Sequence, residues 1–182
     1  CPKCGMKVNI YYPLSEAFLG ISFLLLYYNQ APVYIWIVLL LLFILSYYDF
    51  LYREIPRTLV HILIAASILI FVFFNLNLLS VLLTVGILSV IFLLTLVFKK
   101  SFGIDDILVL LSLGLISSAK QFLVIFWFSI FSALFFAVLF GRIKKEPLKG
   151  VKIPMVPFFL LAFVLGSIWG NQIFEFFLKT FY

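Results

Sequence analysis

Charged residues and cysteines are both scarce in this chain. Asp, Glu, Lys and Arg make up 11% of its 182 residues, whereas a water-soluble domain carries roughly 25%. A soluble globular protein is therefore excluded, and a content of 66% apolar residues excludes a disordered or collagen-like chain. The two cysteines, Cys1 and Cys4, stand too close together to staple a fold, so a secreted disulfide scaffold is excluded as well.

Long apolar runs fill most of the sequence, whose mean hydropathy is +1.29. Lys120 separates two of them, and the others are bounded by polar residues, proline or glycine; they cover 14–28, 32–52, 57–74, 78–98, 104–119, 121–141 and 154–178. A helix crosses a bilayer with about 20 mostly apolar residues. We predict an all-α, polytopic transmembrane bundle of about seven spans, with residues 1–13 as a cytoplasmic cysteine-containing segment and 14–182 as the membrane domain.

Basic residues are unevenly distributed between the predicted loops. When alternate loops are assigned to alternate sides, one side receives all of the 13 Lys and Arg residues except Lys120 and Lys179. Basic residues in short loops mark the cytoplasmic side, so the N-terminal segment is predicted to be cytoplasmic. The net charge of +6 is explained by this orientation and by contact with anionic lipids, and we predict no nucleic-acid partner.

Three of the seven acidic residues stand among apolar neighbours, where an ionised carboxylate is costly and points to function. Asp49 closes the second apolar segment, and Asp105 and Asp106 open the fifth, so the topology places all three at the cytoplasmic face. Two facing carboxyl groups can share a proton, one activating water while the other polarises a carbonyl. We predict that Asp49 and Asp106 form such an aspartyl dyad. On a helix, Asp105 points about 100° away from Asp106, so both cannot face Asp49. We therefore assign Asp105 the simpler role of a negative charge at a helix N-terminus.

Four short motifs follow one another along the chain. They are Cys1-Pro2-Lys3-Cys4 with Tyr12-Pro13-Leu14-Ser15-Glu16; Asp49 with Pro56 seven residues later; Gly103-Ile104-Asp105-Asp106 with Gly114 further on; and Ile153-Pro154-Met155-Val156-Pro157-Phe158. In this order they resemble the motifs of the type IV prepilin peptidases, which are membrane aspartyl endopeptidases of the Gly-x-Gly-Asp type.

The resemblance implies a leader peptidase with Asp49 and Asp106 as its catalytic pair. Such an enzyme removes the basic leader from prepilins, or from the pseudopilins of type II secretion, at the cytoplasmic face of the bacterial inner membrane. The motif residues that support this assignment are Pro56, Gly103, Asp105, Gly114, Pro154 and Pro157. Cleavage itself needs no cofactor. Many members also methylate the new N-terminus with S-adenosylmethionine and carry zinc, for which Cys1 and Cys4 are the candidate ligands. Glu16 is a candidate for contact with the leader or for methyl transfer.

Three departures from the family pattern affect what is carried over. Asp105 replaces the second glycine of Gly-x-Gly-Asp, and Leu108 stands where a lysine is common. Only one Cys-x-x-Cys pair is present, whereas zinc takes four ligands. We therefore expect the missing pair, and one more span, upstream of Cys1.

Two other functions fit parts of the pattern. A presenilin- or signal-peptide-peptidase-type intramembrane protease would also use a Gly-x-Gly-Asp motif, but it leaves the Cys pair and the spacing between Asp49 and Pro56 unexplained. A small proton-coupled transporter would also hold buried acids, yet it would place them near the middle of the membrane instead of at one edge.

Overall fold

The computed structural model describes residues 10–74, 78–97, 103–144 and 153–181, and these ranges contain helices and no strand. The seven helices are α1 (Tyr11–Tyr28), α2 (Val33–Tyr52), α3 (Arg57–Phe73), α4 (Leu78–Val97), α5 (Ile104–Ile116), α6 (Ala119–Lys144) and α7 (Val156–Phe181). The predicted all-α helical bundle is confirmed, and each predicted apolar segment corresponds to one helix.

Proline sets the start of the early helices. Pro32 and Pro56 are extended residues immediately before α2 and α3, where a residue without a backbone N–H costs the helix nothing. The Pro56 carbonyl accepts the N–H of Leu59 at 3.0 Å, which begins the first turn of α3. At the end of α2, Arg53 adopts a left-handed conformation with φ 53°, and its N–H still bonds to the Asp49 carbonyl.

The break between α5 and α6 lies at Ser117 and Ser118, so the prediction that Lys120 separates these two helices was wrong. Ser117 is extended, and the Ser118 hydroxyl accepts the N–H of Gln121 while the Gln121 side chain accepts the N–H of Ser118. This reciprocal pair is the capping box that starts α6. Lys120 lies inside α6 and pairs with Glu175 of α7 at 3.1 Å.

Three of the described helices are long and apolar enough to cross a membrane, fewer than the seven predicted spans. They contain Val33–Tyr52, Ala119–Leu139 and Val156–Thr180. Helices α3 and α5 are shorter, with 17 and 13 residues. With 13 residues, α5 extends only about 20 Å, whereas the hydrocarbon core measures about 30 Å.

The helices pack around a core to which α2, α5 and α7 contribute fully buried side chains, among them Leu42, Leu110 and Phe163. Helices α3 and α7 each contact both α2 and α5, but across the described ranges α2 and α5 are not direct neighbours. Helices α6 and α7 approach each other closely. Gly166 lies directly against Ile125, and Gly170 lies against Gln121. Small residues four positions apart permit such close helix packing in membranes.

Candidate active site

Asp49 lies in the last turn of α2 and is only 6% exposed. Its Oδ2 accepts the backbone N–H of Val156 at 2.9 Å, and the backbone of Met155 also hydrogen-bonds to this carboxyl group. Val156 is the first residue of α7, 107 positions further along the chain. The first N–H groups of a helix have no partner within the helix, and the helix dipole makes this end positive. The amino end of α7 therefore binds the side chain of Asp49.

The sequence around the start of α7 explains why its first N–H group bonds to a side chain on another helix. Met155 stands before its first residue and has no side-chain oxygen, whereas Ser, Thr, Asp or Asn would cap the helix locally. Pro154 precedes it outside the helix, and Pro157 occupies the second helical position. Sequence reasoning noted this segment only for its resemblance and missed its contact with Asp49. The signal was an uncapped helix start together with a buried acid on a different helix.

Asp106 is the third residue of α5 and is half-buried. Its Oδ2 accepts the backbone N–H of Gly103 at 3.2 Å. A Cβ atom on Gly103 would lie 3.0 Å from this oxygen, so glycine leaves the carboxyl group room beside the backbone. Asp105, also half-buried, lies in the first turn of α5, where a negative charge was predicted, and the capping bond is made by Asp106. The bond falls to Asp106 because a capping box pairs the cap residue with the third helical residue.

The two carboxyl groups interact through their charges. Asp106 experiences the charge of Asp49, so both lie within electrostatic range at the same end of the bundle as the start of α7. Among the hydrogen bonds of the described residues, none joins the two side chains directly. Each carboxyl group is instead held by a backbone N–H, that of Asp49 from α7 and that of Asp106 from the start of its own helix.

Gly114 is the motif glycine that lies further along α5. It is buried on α5, eight residues or about 12 Å along the helix from Asp106. A Cβ atom at Gly114 would overlap the side chain of Thr84 on α4, which is itself buried. Another helix, α4, therefore approaches this face of α5 closely.

An apolar groove of about 240 Å³ runs beside the segment that carries Asp49. Three helices line it: α1 with Tyr11, Leu14, Ser15 and Phe18, α2 with Phe43, Ser46, Tyr47, Phe50 and Leu51, and α7 with Pro157 and Leu160. Because Phe50 follows Asp49 directly and Pro157 follows Val156, the groove borders the point where α2 and α7 meet.

Other candidate residues are not brought to the two carboxyl groups by a described contact. Glu16 is exposed on α1, and Cys1 and Cys4 lie outside the described residues. Nowhere in the described ranges do three or more His, Cys, Asp or Glu side chains form a group that could hold a metal ion. A single pair of cysteines supplies two of the four ligands that zinc takes, so the zinc site stays a prediction.

Comparison with known protein families matches residues 36–138 to the type IV leader peptidase family, which covers more than half of the chain. This chain belongs to the type IV leader peptidase family. The match confirms the resemblance drawn from the motifs, and it supports a peptidase acting on prepilin-type substrates in general. The matched region includes both acidic motifs and ends before α7 begins. No curated protein and no solved structure matches this leader peptidase.

Proposed function

We propose that this leader peptidase is an aspartyl endopeptidase that removes the basic leader from type IV prepilins or pseudopilins at the cytoplasmic face of a bacterial inner membrane. The observation that carries the proposal is that Asp49 and Asp106 lie at the same end of the bundle. Both are acids in apolar surroundings, they interact through their charges, and they belong to the segment that matches the family. Family membership favours this function over a presenilin-type protease or a proton-coupled transporter.

In the proposed reaction the two carboxyl groups hold one proton between them. The ionised group takes a proton from a water molecule, and the hydroxide attacks the carbonyl carbon of the scissile peptide bond. The protonated group gives its proton to the carbonyl oxygen, which leaves a gem-diol. The group that took the proton from water then passes that proton to the departing nitrogen as the C–N bond breaks, and its partner takes a proton back from the gem-diol. The amides of Val156 and Gly103 both bond to Oδ2 atoms, so the Oδ1 atoms are the ones we assign to water and substrate.

The location suits a prepilin substrate. A prepilin presents a charged leader in the cytoplasm and an apolar helix in the bilayer, so its scissile bond lies near the inner membrane surface. The predicted orientation puts the ends of α2 and α5 that carry the acids at this surface. Asp49 and Asp106 would then meet the bond where water reaches it from one side.

The deciding experiment replaces each acid with asparagine. Asp49→Asn and Asp106→Asn should each lower prepilin cleavage at least about 100-fold, because an amide cannot exchange the proton. Asparagine keeps an oxygen that can accept the Val156 or Gly103 N–H, so expression and membrane insertion should be unchanged. The readout is cleavage of a purified prepilin by the purified protein.

Asp105→Asn is the matched control, since it removes a neighbouring carboxylate without touching the proposed pair. Full activity of Asp49→Asn or Asp106→Asn would refute the dyad. Loss of activity in Asp105→Asn with retention in Asp106→Asn would move the catalytic position by one residue. The same assay with S-adenosylmethionine tests the N-methylation that the family resemblance implies, and Glu16→Gln then tests the role proposed for Glu16.

A further inference from the structure

The bond between Val156 and Asp49 joins the start of one helix to the end of another. It is fully buried, Val156 itself being 0% exposed, and its length is 2.9 Å. This bond is shielded from water, and hydrogen bonds are electrostatically stronger in such low-dielectric surroundings than in water. A bond of this kind restricts where the carboxyl group can point.

Two roles for the contact have different consequences. If Asp49 only caps α7, the contact stabilises the fold, and its loss affects every property that depends on folding. If α7 aims Asp49, the contact sets the orientation of one carboxyl group toward its partner. Asp49 and Asp106 lie on helices that do not pack against each other, so direct packing of α2 on α5 cannot set their relative position. Other helices must therefore set the relative position of the two carboxyl groups, and α7, which contacts both α2 and α5, is placed to do so.

We infer that the amino end of α7 is a positioning element of the active site, in which the backbone N–H of Val156 holds Oδ2 of Asp49 and so directs the rest of this carboxyl group toward Asp106 and the scissile bond. The inference rests on the proposed function. It gives residues 153–158 a function in the reaction. Because Met155 has no side-chain oxygen to cap α7, the N–H of Val156 is free to bind a side chain on another helix.

Val156→Pro removes the N–H without removing the helix. Proline is well tolerated at the first helical position because that N–H has no intrahelical partner. We expect kcat for prepilin cleavage to fall about ten- to a hundredfold, the range for losing one hydrogen bond to a charged group, with KM nearly unchanged. Val156→Ala is the matched control, since it keeps the N–H and loses the buried methyl groups.

The inference predicts a larger loss of kcat in Val156→Pro than in Val156→Ala, even if the two proteins have the same melting temperature in detergent. Equal kcat values would overturn it, as would a fall in kcat that merely follows the loss of folded protein. If the wild type itself fails to cleave prepilin, the proposed function fails instead, so the two failures can be told apart.

A backbone ester at position 156 tests the same bond if the proline variant does not fold. Replacing Val156 with its α-hydroxy acid exchanges N–H for oxygen and leaves the side chain in place. The same exchange at Val33, the exposed first residue of α2, controls for the chemistry of substitution. We expect a fall in kcat at position 156 and none at position 33. Equal effects at both positions would overturn the inference.

Discussion

Each of the two central acids is held by a backbone amide. The cost of a carboxylate among apolar residues pointed to Asp49, Asp105 and Asp106 in the sequence, and the rotation of about 100° between adjacent helix positions favoured Asp106 over Asp105. Their hydrogen-bond partners were harder to predict. The bond from Gly103 to Asp106 follows from local capping rules, which were not applied to this helix in predicting it from the sequence. The bond from Val156 to Asp49 spans 107 positions and depends on how α7 packs, which no local pattern encodes.

Asp105 is the residue at which this chain departs from its family motif, and its charge acts on Asp106. We expect Asp105→Gly to remain active and to cleave prepilin at least as fast as the wild type, because it removes that charge and restores the family glycine. Asp105→Ala separates the two effects, since it removes the charge without adding backbone freedom. Initial rates of cleavage at equal protein concentration provide the measurement. A tenfold loss in both variants would instead assign Asp105 a direct part in the reaction.

At the scale of helices, the sequence predicted most boundaries to within a few residues. Proline before α2 and α3 and the long apolar runs were sufficient for this. The break before α6 was misplaced because Lys120 was taken as an interruption, whereas Ser118 and Gln121 supply the capping box that starts the helix. The contacts between helices could not be predicted. In the sequence, a glycine that lies against another helix cannot be distinguished from one that does not.

Gly114 and Gly86 form a matched pair for testing close packing. A Cβ atom at Gly114 would overlap Thr84, whereas one at Gly86, on the same pair of helices, would meet nothing within 4 Å. Gly114→Ala should destabilise the protein by about 1–3 kcal/mol through overpacking. Gly86→Ala should be neutral or stabilising by up to about 1 kcal/mol, because alanine favours the helix.

Thermal unfolding of the two glycine variants in the same detergent checks this prediction. A melting temperature for Gly114→Ala at or above that of the wild type would show that α4 can move away from the added methyl group without loss of stability. It would also remove the packing explanation for this motif glycine. If Gly114→Ala lowers both stability and cleavage, activity measured well below its melting temperature shows whether the packing of α4 and α5 also affects the site.

At the scale of the whole molecule, the order of helices and the fold class were predictable from hydropathy. The depth of each helix in a membrane was not, since only three of the described helices have the length and hydropathy to cross one. In the sequence, all seven apolar segments were predicted to span the membrane, because proline and polar residues bound short helices and long helices in the same way.

The orientation predicted from the basic loops can be measured by labelling single cysteines. In a background with Cys1 and Cys4 replaced by serine, Glu54→Cys in the turn between α2 and α3 should react with a membrane-impermeant maleimide only from the cytoplasmic side. Asn29→Cys in the turn between α1 and α2 should react only from the opposite side. Intact spheroplasts expose the outer face of the membrane to the reagent, and inverted vesicles expose the cytoplasmic face. The reverse pattern would place Asp49 and Asp106 on the outer face and contradict the proposed site of cleavage.

The contact between α2 and α7 determines how much of this protein is needed for a working enzyme. A shortened protein ending at residue 138 would contain the whole segment that matches the family, with both acids and the glycines of their motif. It would lack Val156 and with it the buried donor to Asp49. Inactivity of such a truncation would therefore not count against either acid, and the smallest fragment worth assaying extends through α7.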